Sequence, residues 1–198
     1  GYLELKGEKI IPLNAIKIVG KHNLQNVMIA VSAAKAIGIS NDVILDAVSS
    51  FKGVEHRIEF VREIDGVKWY NDSIATSPTR VIAGLNSFNQ KLIVIAGGYD
   101  KKIPFEPLAE PVNKNVKILI LLGATADKIE KAVTESPLYP ESGLKIVRVK
   151  TLEEAVLTAQ KMAEKGDVVT LSPACASFDL YPNFEARGRH FKRLVNEL

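Results

Sequence analysis

From residue 78 to its end the chain alternates short apolar runs with segments whose apolar residues recur at helical spacing. The runs cover 92–96, 116–122, 145–149 and 168–171; the amphipathic segments lie near 78–88, 105–114, 125–134, 151–165 and 183–197. In the 151–165 segment Leu152, Ala155, Val156, Ala159, Met162 and Ala163 follow the i, i+3, i+4, i+7 rule of a helix with one buried face. A strand that is apolar throughout has no side to show to water, so helices must cover both of its faces. The pattern therefore predicts an α/β fold with a mostly parallel sheet between two helical layers. Residues 58–64 and 67–71 add a hairpin-like pair around Asp65-Gly66.

The first fifty residues read differently. Residues 1–19 are expected to form short strands, with Lys6-Gly7-Glu8-Lys9 as a turn and 15–19 as an alternating strand behind it. A helix is expected from Asn23 to about Ile37, stopped by Gly38, and Ser40-Asn41-Asp42 opens a second one through Ser50. These pieces cannot enclose a core unaided and are expected to be the tail of a larger domain. The character changes between residues 51 and 56, which divides the chain into 1–54 and 55–198. Because it begins Gly1-Tyr2-Leu3, the sequence is expected to be a fragment.

Composition excludes several classes. A net charge of +3 over 198 residues is too small and too dispersed for a nucleic-acid partner. The longest apolar runs fall well short of a membrane span, so no membrane partner is expected. Cys175 is the single cysteine, which rules out an internal disulfide and any cysteine metal cluster, and fits a reducing, cytoplasmic setting.

Polar residues gather where the apolar runs end. Tyr70-Asn71-Asp72-Ser73-Ile74 closes one run, and Ala75-Thr76-Ser77-Pro78 starts a helix, with Ser77 placed to cap and Pro78 at the first helical position. Asp72 thus sits at a strand's carboxyl end, the edge where open α/β sheets hold ligands, and a carboxylate there can accept both hydroxyls of a ribose. Gly97-Gly98-Tyr99-Asp100-Lys101 and Ser172-Pro173-Ala174-Cys175-Ala176-Ser177-Phe178 follow two further runs. Glycines let the chain turn sharply and a lysine beyond them can meet an anion; Lys102 stands beside Lys101 as the other candidate. A hydroxyl at Ser177 with free backbone amides can hold a small carboxylate, or the segment is an ordinary loop. Cys175 is expected to be a buried small residue. Three such loops on one rim make a ligand site the leading reading.

Two constellations lie elsewhere. Asn23 and Asn26 share a face near a helix start, where carboxamides match a purine edge; simple capping by Asn23 is the alternative. Gly20-Lys21 is followed by His22, so it is not a phosphate loop of the GK[ST] kind, and the chain has none. In Glu55-His56-Arg57, Arg57 at the domain junction can reach a terminal phosphate on closure or hold the linker in a salt bridge. His56 reads as a packed or orienting histidine.

Together, Lys21-His22-Asn23-Leu24-Gln25-Asn26, Glu55-His56-Arg57, Asn71-Asp72-Ser73, Ala75-Thr76 and Gly97-Gly98 resemble the latter half of the ATP-dependent muramyl (Mur) ligases. The run 171–179, then Asn183-Phe184-Glu185 and Arg187-Gly188, resembles the D-glutamate-adding branch of that family. The resemblance implies phosphorylation of the carboxylate of UDP-N-acetylmuramoyl-L-alanine by ATP, then attack on the acyl phosphate by the amine of D-glutamate. It implies ATP-side roles for Asn23, Asn26, Arg57 and Asp72. It places Thr76, Lys101, Ser177, Phe178 and Phe184 around D-glutamate, with Arg57 and Lys101 closest to the chemistry. Residues 1–54 resemble the end of the family's central, ATP-binding domain, and 55–198 its Rossmann-like third domain. Mg2+ is implied for the whole enzyme, with no metal ligand in this chain; the fragment alone is expected to be inactive, and a monomer is expected. Another Mur ligase, a folylpolyglutamate synthetase relative and a non-catalytic nucleotide-binding module are the alternatives. Two departures stand out. Ile74 replaces a lysine found in some relatives, and Gly-Gly-Tyr-Asp-Lys replaces a common Gly-Gly-Asp-Gly-Lys, which leaves Lys101 and Lys102 to be told apart.

Overall fold

The computed structural model describes residues 1–21 and 23–198; His22, part of the motif that includes Asn23 and Asn26, lies outside the described residues. The chain divides into two compact units, Gly1–Val54 and Glu55–Leu198. No described helix is long and apolar enough to cross a membrane.

In the first unit β1 (Tyr2–Leu5) and β2 (Glu8–Pro12) form an antiparallel pair, turned by Lys6 and Gly7 in left-handed backbone. Helices α1 (Lys21–Ala36) and α2 (Asn41–Ser50) follow. Leu3, Ile10, Ile11, Val27, Val31 and Ile44 make a small core. The strand expected at 15–19 does not form. Leu13–Ala15 is a single 3-10 turn and the stretch beyond it is irregular; it pairs with neither open edge of the two-stranded sheet, so its alternation has no ladder to fix it as a strand. Helix α1 starts two residues before the expected Asn23, with Gly20 as its N-cap.

The second unit is the α/β fold the alternation predicts. Its elements are β3 (Glu59–Ile64), β4 (Val67–Asn71), α3 (Pro78–Leu85), β5 (Leu92–Ala96), α4 (Ala109–Asn115), β6 (Val116–Leu121), α5 (Ala126–Thr134), α6 (Tyr139–Ser142), β7 (Lys145–Arg148), α7 (Leu152–Met162), β8 (Val168–Leu171) and α8 (Phe184–Asn196). The six strands run in the order β3-β4-β8-β5-β6-β7, all parallel except the hairpin strand β3. Helices α7 and α8 cover one face through Leu152, Ala155, Val156, Ala159, Phe191 and Val195, which pack on Trp69, Ile93, Ile95, Ile118 and Ile120. On the other side α3, α4 and α5 pack on one another, and α4 also packs on β6. Every residue of β5 is buried, as a central strand covered on both faces requires. The helix expected at 105–114 is split into a 3-10 turn, Glu106–Leu108, and α4, with Pro107 and Pro111 in its sequence.

Candidate ligand site at the carboxyl rim

Strands β4, β8 and β5 are neighbours, and their ends are level: Asn71 pairs with Leu171, which pairs with Ile95. The three polar loops therefore leave the sheet side by side on its carboxyl edge, where parallel sheets bind ligands. Backbone bonds continue past the strand ends: Asp72 N–H to Leu171 O, 2.9 Å, Ser172 N–H to Ile95 O, 3.0 Å, and Gly97 N–H to Pro173 O, 2.9 Å. Gly97 and Gly98 have φ of 114° and 145°. A β-carbon on Gly97 would collide with Leu122 O and one on Gly98 with Ala176 O, so only glycine fits at either position.

Arg187 is the clamp of this rim. It is 5 % exposed and comes from α8. Its Nε donates to Ser73 Oγ at 3.0 Å, one terminal nitrogen to Ala176 O at 3.2 Å, and the other to Ser73 O and Cys175 O at 3.0 and 3.1 Å. A guanidinium whose partners are mostly carbonyls ties the β4 and β8 loops together without an ion pair among the described residues, and burial pulls it down to about 10. Ser73 Oγ in turn donates to Phe184 O at 2.8 Å. Next along the rim, Thr125 Oγ1 donates to Gly98 O, accepts from Gly98 N–H, and lies 3.0 Å from the buried Cys175 sulfur. Burial raises the Cys175 thiol to about 11, which makes it a packed residue in the folded rim and not a nucleophile. The sequence reading gave no role to Ser73 or Thr125, and it quoted Arg187 only within a motif. An arginine inside an amphipathic helix reads as solvated until the tertiary fold buries it.

Asp72 is 4 % exposed. Its Oδ1 accepts from Ile58 N–H and its Oδ2 from Ser172 Oγ, both at 3.2 Å. Burial pushes it up to about 7 against those bonds and the pull of Arg57 and Arg80. Thr76 is half-buried, Ser177 is buried at 2 % exposure and Phe184 is half-buried, whereas Lys101 and Phe178 are exposed. Tyr99 N–H bonds Ala176 O at 2.9 Å, and its ring meets that of Phe178 edge-on at 6.0 Å. The loop at 97–101 is thereby laid against the Ser177 loop. Lys102, at φ 58°, takes an Asx-type bond from its N–H to Asp100 Oδ1, and it lines an outer groove of 450 Å³ with Lys128 and Lys131, a groove Lys101 does not line. Ser77 is the N-cap residue of α3 with Pro78 behind it, but its side chain makes no capping bond.

Arg57 is exposed and makes no ion pair among the described residues. The salt bridge at this end of the unit belongs instead to Lys192, which joins Glu55 and Glu59 at 2.8 and 2.7 Å. His56 is buried against Phe184, and its Nδ1 accepts from Asn71 Nδ2 at 2.9 Å. Glu55, His56 and Glu59 offer close ligand atoms, yet Lys192 already supplies the cation between the two carboxylates. Asn23 and Asn26 lie in the first unit. Asn23 Nδ2 donates to Val19 O at 2.7 Å and Asn26 Nδ2 to Asn23 Oδ1 at 3.4 Å, so Asn23 is not a cap acceptor and its amide is oriented by the chain before the helix.

The family model described as "Mur ligase, glutamate ligase domain" matches residues 56–175, and the chain belongs to that family. It is 52% identical over 196 residues, 99% of its length, to a UDP-N-acetylmuramoylalanine--D-glutamate ligase of Clostridium botulinum strain Hall, and 52% identical over 198 residues to that of Clostridium acetobutylicum. The chain spans 43% of the length of each. Among solved structures, UDP-N-acetylmuramate-alanine ligase MurC of Thermotoga maritima matches 92% of the chain, over 39% of its own, with TM-score 0.63 at 15% identity. Mycobacterium tuberculosis folylpolyglutamate synthase matches 94%, over 42% of its own, with TM-score 0.64 at 12% identity. These two bear on the fold alone.

Proposed function

We infer that this chain is the C-terminal portion of an ATP-dependent ligase that joins D-glutamate to UDP-N-acetylmuramoyl-L-alanine in peptidoglycan synthesis. The observation that carries this is the match along essentially the whole chain to curated ligases of that name. On this reading residues 55–198 are the amino-acid-binding domain and 1–54 the last part of the ATP-binding domain. The enzyme works as a cytoplasmic monomer on small molecules.

ATP supplies the phosphoryl group that activates the carboxylate; Mg2+ accompanies it, and no residue here is assigned to hold the metal. Asn23 and Asn26 present carboxamides to the adenine side. Asp72 has two of its roughly four acceptor positions taken by protein donors and offers the others to ribose. Arg57, exposed and unpaired among the described residues, supplies charge to the transferring phosphoryl group.

D-glutamate binds at the rim among Thr76, Lys101, Ser177, Phe178 and Phe184. Its amine must stay unencumbered to attack, so the cation of the site is aimed at a carboxylate. Lys101 is the better candidate of the two lysines, since Lys102 is turned to the outer groove. In the full-length ligase, Lys101→Ala is expected to lower kcat/KM for D-glutamate by roughly 30- to 1000-fold, the loss of a charge-assisted bond, with KM for ATP little changed. Loss on Lys102→Ala instead would move the site by one residue. Phosphate release that does not depend on D-glutamate in the wild type would sink the reading as a whole.

A further inference from the structure

The turn that displays Arg57 is strained. His56 and Ile58, on either side of it, both hold left-handed backbone, at φ 65° and 44°. A β-branched residue there is a genuine outlier, and such conformations persist only where the surroundings over-determine them. Part of the restraint is Asp72, which takes Ile58 N–H, and His56 O, which takes Ile74 N–H at 3.2 Å. The rest converges on one carboxylate. Glu59 Oε2 accepts from His56 N–H at 2.9 Å and from Asn71 Nδ2 at 3.0 Å, while Oε1 accepts from Lys192 Nζ at 2.7 Å. Those donors come from the turn itself, from the end of β4 and from α8.

We propose that Glu59 is the positioning residue for Arg57: its carboxylate closes the strained turn on the β4 end and so fixes where the guanidinium stands. This rests on the reading above that Arg57 meets the transferring phosphoryl group. Three features of the site fit the assignment. Glu59 is close enough in sequence to Arg57 to set its backbone, and its side chain is only 20% exposed, so water competes weakly for its lone pairs. The same Asn71 amide also holds His56, so the turn and the strand end move as one body. Lys192 offsets the charge of Glu59, and Arg57 makes no ion pair among the described residues, so its charge can meet a phosphate.

The test is a double-mutant cycle in the full-length ligase, reading kcat and KM with each substrate saturating in turn. Glu59→Gln keeps the size of the side chain but replaces one acceptor oxygen by a donor. It is expected to lower kcat by roughly 10- to 100-fold, the effect of misplacing a catalytic group by about 1 Å, with KM for D-glutamate within about twofold of wild type. Arg57→Ala is expected to lower kcat at least as far, and adding Glu59→Gln to it is expected to lower kcat no further. Lys192→Met removes one of the three donors and is expected to give a smaller loss of the same kind, again absent when Arg57 is alanine; it serves if Glu59→Gln does not fold. An equal factor lost in both backgrounds would show a general structural role and overturn the proposal. Should Arg57→Ala leave kcat unchanged in an enzyme that is active with D-glutamate, the role of Arg57 fails, and the positioning role with it, while the ligase reading stands.

Discussion

The two units solve the problem of burial to different degrees. In Glu55–Leu198 a six-stranded sheet is covered on both faces, and its central strand has no exposed residue. In Gly1–Val54 a two-stranded sheet and two helices bury a core cluster of six apolar residues, yet Met28, Ile29, Ile37, Val43, Phe51 and Val54 are between 46% and 79% exposed. Single exposed apolar residues need no explanation, but several within one short unit mark surface that folding has not used. Regular alternation of strand and helix is what makes a segment self-sufficient here, and the first unit lacks it.

Cutting the chain between residues 54 and 55 separates the two units. Expressed alone, Glu55–Leu198 is expected to unfold in one cooperative urea transition, followed by the fluorescence of Trp69, the single tryptophan of the chain. Gly1–Val54 alone is expected to show no cooperative transition by circular dichroism, since so small a core rarely exceeds the entropy of ordering its chain. A sharp transition in the short piece would end the contrast.

A smaller effect separates the core of the second unit from its rim. Asp72 titrates near 3.8 when exposed and at about 7 in the fold, where burial disfavours its charge. The unfolded chain therefore releases this proton at lower pH than the folded one. The contribution to stability is fully present below pH 4 and is lost as pH rises toward 7. Asp72→Asn removes the loss: relative to wild type, the variant is expected to gain about 2–4 kcal/mol between pH 4 and pH 7.5, at about 1.4 kcal/mol per pH unit of displaced titration. Urea unfolding of the 198-residue chain at both pH values checks this. A gap between variant and wild type that stays constant with pH would mean that the carboxylate is ionised at no cost.

Much of the second unit was legible because its chemistry is local. The apolar runs from residue 92 onward become strands within a residue or two of their expected ends, and the three loops that share a rim follow from parallel strands having a common carboxyl edge. What the sequence concealed depends on contacts between distant segments. Nothing local distinguishes Arg187, which holds carbonyls more than ten residues away in one loop and more than a hundred in another, from the solvated arginines of the same helix. The strand expected at 15–19 failed for the converse reason: alternation shows which residues would face a core but not whether the segment pairs with a sheet edge, and this one does not. Lys101 and Lys102 are adjacent and chemically alike, and only the folded loop separates their surroundings: Lys102 lines the outer groove and Lys101 does not.

The smallest effect is the sharpest probe of the first unit. Ile29, on α1, is 70% exposed, so Ile29→Ser in the 198-residue chain removes little that is buried. Isoleucine and serine have nearly equal helix propensity, and the variant is expected to lie within about 0.5 kcal/mol of wild type by urea unfolding. If residues 1–54 are the end of a larger domain, the same substitution in the full-length protein acts on a side chain that the rest of that domain covers. Fully burying an isoleucine is worth about 1.5–3 kcal/mol, so the cost there is expected to exceed 1 kcal/mol. The two measurements use one substitution in two lengths of chain, so propensity cancels between them and burial remains. A cost that is equally small in both would mean that this face of α1 stays in water in the whole protein, and the exposed apolar residues of the first unit would then need another explanation.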